Sequence, residues 1–210
     1  LAASGRAIRP GDIMVLVQRR RPFLEEMVRQ LKQRTIPVAG ADRMVLTEQI
    51  AVMDLVALGR FLLLPDDDLT LAVVLKSPLL GFDEETLFHL AHDRGKGRSL
   101  WRVLQRRRRE RPAFEAAYAG LAGWLDAVDF TRPFDFYAAL LSVDGVRRRL
   151  LHRLGIEADD AIDEFLDLAL DYERTHAASL EGFLHWLEAG ETEVKRDLEQ
   201  GRDEVRVMTV

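Results

Sequence analysis

The sequence predicts a mainly α protein with a small α/β part, a helical insertion flanked by pieces of one parallel sheet. Three features predict it. Ile13-Met14-Val15-Leu16-Val17 is apolar without alternation after the Gly11-Asp12 turn, as expected of a strand covered on both faces. Val205-Arg206-Val207-Met208-Thr209-Val210 is a second strand-like run, bounded upstream by Gly201. From Thr47 up to that run, every apolar pattern has helical spacing. The chain stops inside the last strand, which would leave ladder groups unpaired. The 210 residues therefore read as an excised piece of a longer protein. Its two ends are expected side by side as parallel strands, which need a long crossover, here the whole helical region.

In chain order, Pro22 opens a helix with Phe23, Leu24, Met27, Val28 and Leu31 on one face, ending near Lys32. Thr35-Ile36-Pro37-Val38 is the next strand, placed by its Pro at a sheet edge or a strand end. Strand, helix and strand make a βαβ unit, and the carboxyl end of its first strand is where a ligand sits. That aims Gln18, Arg19, Arg20 and Arg21 at a cleft. Thr47 is the expected N-cap of a central helix running to Pro65, and Asp66-Asp67-Asp68 opens another helix over 69–75. Lys76 to Asp83 is a turn, with Asp83 capping a helix to about Arg94. Further helices are predicted over 99–109, 112–128, 133–141, 145–154, 159–176, 179–189 and 192–200.

Composition narrows the classes. A chain that is 48% hydrophobic and 31% charged builds an ordinary core. A net charge of −5 argues against a general polyanion binder while leaving room for local basic patches. The absence of Cys excludes disulfides and thiolate zinc sites and fits a reducing, cytoplasmic compartment. No apolar run approaches the roughly 20 residues that span a bilayer, so no membrane partner is expected.

No nucleophile elbow, phosphate loop or catalytic carboxylate pair stands out, so no catalytic residue is assigned. His89 and His92 share a helix face beside Asp93 but lack convergent partners, and no metal site is assigned. Arg106 to Arg109, with Arg111, read as a solvated helix end. Arg147-Arg148-Arg149 lie within a helix and point in different directions.

Taken together, Asp12 to Arg20, the following helix, Ile36-Pro37-Val38 and Gly40 resemble part of the second motor lobe of superfamily 1 helicases of the UvrD/Rep type. Leu46-Thr47-Glu48 with Ile50 and Asp54, Pro65-Asp66-Asp67, and Val74 to Gly81 resemble the blocks that follow in that family. Val205 to Val210 is similar to the strand before its H-x-x-K-G-L-E motif. The Leu75-Lys76-Ser77-Pro78-Leu79 variant, the Phe61-Leu62-Leu63 helix end and the segment Ser179 to Leu187 are most similar to the AddA branch, helicase–nuclease subunits of break repair.

The resemblance implies that residues 1–43 and 205–210 belong to a RecA-like lobe, 2A, and 44–204 to the helical 2B insertion. It implies ATP-dependent DNA unwinding in recombination and double-strand break repair, with ATP and Mg bound in the parent protein and neither bound by these residues alone. It implies single-strand contact along lobe 2A by Gln18, Arg19, Arg20, Arg21 and Thr209, with Lys76, Ser77 and Gly81 as further DNA contacts, and a nuclease partner subunit. Gln18 stands where the family has Arg. In the turn that approaches duplex DNA, Leu80 replaces the family's Arg and Asp83 its second Gly. A carboxylate there repels phosphate and argues against a duplex contact by this turn. The rival reading is a helical protein-interaction module without direct DNA contact.

Overall fold

The computed structural model describes residues 6–17, 27, 29–31, 33–40, 43–92, 94–95, 97–156, 158–189, 193–195 and 203–209. The chain is mainly helical and divides into two compact units, one of residues 1–44 with 193–210 and one of residues 45–192. The return to the first unit thus comes at 192/193, earlier than the expected 204/205.

In the first unit, β1 (Met14–Val17), β5 (Val205–Thr209) and β2 (Val38–Gly40) form a sheet in the order β1-β5-β2. β5 is parallel to both neighbours, with Met14 opposite Arg206 and Val38 opposite Val205. β5, not β1, takes the middle position. The Val205 amide donates to the Pro37 carbonyl at 2.8 Å, and the Gly11 amide donates to the Asp203 carboxylate at 2.8 Å. The second strand starts later than expected because Thr35 adopts φ 57° and the chain becomes extended only beyond it. Residues 27, 29–31 and 33 are helical, and the rest of the expected 22–32 helix lies outside the described residues.

Burial on both faces of β1 is not observed. Val15 packs with Met27, Leu31, Ile36 and Val38 around the buried Val205, but Met14 and Leu16 are 47% and 60% exposed. Successive strand side chains point to opposite faces, and the described residues cover one face only. A short two-stranded sheet pairs β3 (Arg43–Val45) with β4 (Glu193–Lys195). β4 replaces the start of the helix expected over 192–200, and residues 196–200 lie outside the described residues.

The second unit holds nine described helices: α1 (Ile50–Leu63), α2 (Asp68–Lys76), α3 (Glu84–Ala91), α4 (Leu100–Arg107), α5 (Pro112–Val128), α6 (Pro133–Ser142), α7 (Val146–Leu154), α8 (Ala158–Thr175) and α9 (Leu180–Ala189). Asp67, Asp83 and Ser99 cap α2, α3 and α4 through their side chains, and Pro112 and Pro133 open α5 and α6. Thr47 is not the N-cap of α1. Residues 46–48 form a 3-10 turn and Gln49 takes the cap position.

α1 is the central helix and touches α2, α5, α7, α8 and α9. Its close neighbours depend on Gly59, where a Cβ would lie 2.4 Å from Tyr137 Oη and 2.9 Å from Leu184 Cδ1. Tyr137 is fully buried and donates its hydroxyl to the Leu55 carbonyl at 3.1 Å, and its ring meets Phe165 edge-on at 4.8 Å. Burial pushes the Tyr137 phenol up, so it stays protonated. Phe165 and Phe183 complete this aromatic centre at 5.5 Å.

Candidate nucleic-acid interface

Gln18, Arg19, Arg20 and Arg21, the residues expected to follow the single strand, lie outside the described residues. Thr209 ends β5, its backbone in register with Val17 of β1. Lys76 is the last residue of α2, and Ser77 and Gly81 lie on the turn that joins α2 to α3.

That turn is folded by hydrogen bonds that occupy its own polar groups. Ser77 is the C-cap of α2, and its hydroxyl donates to the Val74 carbonyl at 2.7 Å and accepts from the Leu79 amide at 3.3 Å. The Ser77 carbonyl accepts from the amides of Leu80 at 3.2 Å and Gly81 at 2.8 Å. The Phe82 amide donates to the Leu75 carbonyl at 2.8 Å. Gly81 has φ +70°, with open space where a Cβ would be. Glycine is suited here by backbone conformation, not by close approach. Phe82 anchors the turn by stacking on Phe114 at 5.9 Å.

These bonds engage two of the residues expected to contact DNA. Ser77 is only 5% exposed and its hydroxyl is already bonded on both sides. The Gly81 amide is bonded inside the turn. Neither offers a phosphate a free donor in this conformation, for the physical reason that the turn uses them to hold itself. Asp83 caps α3, and hydrogen bonds from the Thr86 hydroxyl and amide hold its carboxyl below the usual range. Lys76 remains at the surface, ion-paired with Glu84.

Opposite this turn stands a group of cations that sequence reasoning set aside. Lys76, Gly81 and Asp83 share a cleft of about 650 Å³ with Arg148, Arg149, His152 and Arg153 of α7. The available signal was helical spacing: 148 with 152 and 149 with 153 are one turn apart and form adjacent stripes. Arg147 departs from them, ion-paired with Asp159 at 3.4 Å and with Asp163. Arg149 gives one donor to the Asp144 carbonyl at 3.0 Å. Two further clefts adjoin. Arg148 and His152 also border one lined by Leu141 and Ile156, and Arg149 borders one along Gly120 and Gly123 of α5.

The other arginine cluster has a structural role. Arg107 donates to the His89 carbonyl at 2.6 Å, satisfying the end of α3, and Arg108 lies 4.7 Å over the Tyr118 ring. It is therefore not simply a solvated end, and only Arg106 and Arg109 of that run are fully at the surface. Trp101 and Trp124 are packed, Trp101 against Phe61 and Tyr118, and Trp124 with its indole N–H on Asp144 at 2.8 Å.

Among the described residues no group of three or more His, Asp or Glu is placed to hold a metal ion. None of the helices there is long and apolar enough to cross a membrane. No protein-family model matches the chain, and no curated protein is significantly similar to it.

Proposed function

We propose that the chain is a piece of an ATP-dependent DNA helicase of the UvrD/Rep type, most similar to AddA, acting in recombination and double-strand break repair in the cytoplasm. The sheet unit is then part of lobe 2A and the helical unit the 2B insertion. The observation that supports this is the topology. β5, from the end of the chain, lies in parallel between β1 and β2 from its start, and a helical unit with its own core occupies the interval. A free-standing helical regulator has no need of such paired ends. The sequence contains no glycine-rich phosphate loop, so these residues do not by themselves hold ATP and Mg. In this reading those sit against a further lobe, while residues 18–21 and Thr209 follow the single strand and a nuclease subunit is the protein partner.

The purified chain is expected to bind single-stranded DNA without hydrolysing ATP or unwinding duplex. Arg19→Ala with Arg20→Ala should weaken that binding and reduce its salt slope by about one phosphate contact each. DNA-stimulated ATP turnover by the chain alone, or an unchanged slope, overturns the reading. One observation favours the rival, a helical interaction module: Ile50, Met53, Leu64, Leu69 and Val73 on and beside α1 and α2 are 45–77% exposed. Absence of DNA binding by the whole chain decides for it.

A further inference from the structure

We infer that the cleft between the end of α6, α7 and Ile156 docks a short acidic peptide segment of another protein, one that carries a bulky apolar side chain among its carboxylates. The inference rests on the helical unit alone and does not need the helicase reading. The cleft has a volume of about 630 Å³. Leu141, Leu151 and Ile156 give it an aliphatic lining, and Arg147, Arg148 and His152 give it a basic edge. None of its described lining residues is acidic, in a chain whose net charge is −5. Such a local reversal of sign attracts carboxylates that the rest of the surface repels.

The fold itself does not use these groups. Gly155, at φ 92°, takes the chain out of α7 and leaves Ile156 75% exposed beside the half-buried Leu151. α7 has Arg147, Arg148 and Arg149 in its first turn and no acidic residue there, so these cations oppose the helix dipole. Arg147 is offset by Asp159 and Asp163, and Arg149 gives a donor to the Asp144 carbonyl. Arg148 and His152 are exposed and have no ion pair or hydrogen bond among the described residues. The Arg148 guanidinium lies back beside Gly145, where a Cβ would come within 3.4 Å of it. Its donors therefore stand at the cleft, uncommitted.

The pairing of exposed aliphatic groups with unpaired cations selects the occupant. A nucleic-acid backbone would use the charges but leave Ile156 and Leu151 in water. A purely apolar segment would cover them but desolvate Arg148 without a partner. A carboxylate next to an apolar side chain meets both needs, the carboxylate taking the Arg148 fork and the apolar group lying on Ile156 and Leu151. Arg147, already committed, contributes only its aliphatic stem. Asp159 and Asp163 behind it repel the peptide's carboxylates, which places the acidic part toward Arg148 and His152.

The test is fluorescence anisotropy of the whole chain with a labelled peptide of glutamates around a single phenylalanine. The same peptide with serine for phenylalanine and a blunt DNA duplex are the comparison ligands. Ile156→Ser should weaken binding of the phenylalanine peptide about fivefold, and the serine peptide should lose about as much. Arg148→Ala should weaken it about threefold, the size of an exposed ion pair. Leu69→Ser, and Arg106→Ala with Arg109→Ala, should leave it nearly unchanged. Circular dichroism confirms that each variant is folded. Absence of peptide binding, equal binding of the serine peptide, or no effect of Ile156→Ser or of Arg148→Ala overturns the inference. Tighter binding of the duplex that Arg148→Ala weakens and Ile156→Ser leaves alone overturns it in favour of nucleic acid. Self-association in sedimentation that Ile156→Ser abolishes overturns it in favour of a second copy of the chain. Loss of single-strand binding through Arg19 and Arg20 is a separate result that bears on the helicase reading alone.

Discussion

Phe165, Phe183 and Tyr137 are completely buried at the centre of the helical unit, where other helices pack around α1. In the sheet unit Val205 is the only described hydrophobic residue to be buried, while Ile8, Ile13, Met14 and Leu16 are 41–63% exposed. The two units use the same kinds of residue. They differ in layers. An apolar face is stabilised only when a second element lies on it, and α1 has helices around it while β1 has described cover on one side. Hydrophobicity read along a chain therefore says that a face needs cover, and only the fold says whether it has any.

The largest test of this contrast is a core truncation. Phe183→Ala should destabilise the helical unit by about 3–5 kcal/mol and lower its cooperative thermal transition. Val205→Ala should leave that transition in place and abolish slow amide exchange only in β1, β2 and β5. If Val205→Ala unfolds the helices too, the units are not energetically distinct. Gly59→Ala comes next, because the added methyl meets Tyr137 Oη and Leu184. Overpacking of about 2 kcal/mol is expected, read by denaturant unfolding, and pairing it with Tyr137→Phe should not relieve the Leu184 part of the contact.

The smallest effect separates the units by pH. Asp54 is 8% exposed on α1, its Oδ2 has no partner among the described residues, and burial pushes its carboxyl up to about 6. The folded state thus holds this proton more tightly than the unfolded chain does. Its contribution favours folding below about pH 4, the ordinary range of an Asp, and is lost as pH rises toward 6. Asp54→Asn should stabilise the helical unit by about 1–2 kcal/mol at pH 7 and by nothing at pH 3.5. A gain that is the same at both pH values would sink this account.

What the sequence made legible follows the range of the interactions. Asp67, Asp83, Ser99, Pro112 and Pro133 mark helix starts through contacts within one turn, and all of them occupy the positions that such residues favour. β3 and β4 were not legible, because three-residue strands carry almost no periodicity and exist only through each other. The helical propensity of 192–200 pointed elsewhere. The basic cleft was hidden for a related reason. That Arg147 turns to α8 while Arg148, Arg149 and Arg153 face Lys76 depends on how α7 is rotated against the α2–α3 turn. The Ser77 hydroxyl is committed to the Val74 carbonyl and the Leu79 amide, a placement that depends on how α2 ends.

The parallel pairing of β1 with β5 also sets how the chain bears mechanical load. β1 belongs to the start of the chain and β5 to its end, and parallel neighbours put those two outlets at opposite ends of the ladder. A pull on the outlets therefore acts along the strands and strains the hydrogen bonds between Met14–Val17 and Arg206–Thr209 together in shear, rather than unzipping them singly. The connection through the helical unit stays off the line of tension until that ladder parts. So the part of the molecule with the smallest core is the part that takes the force first.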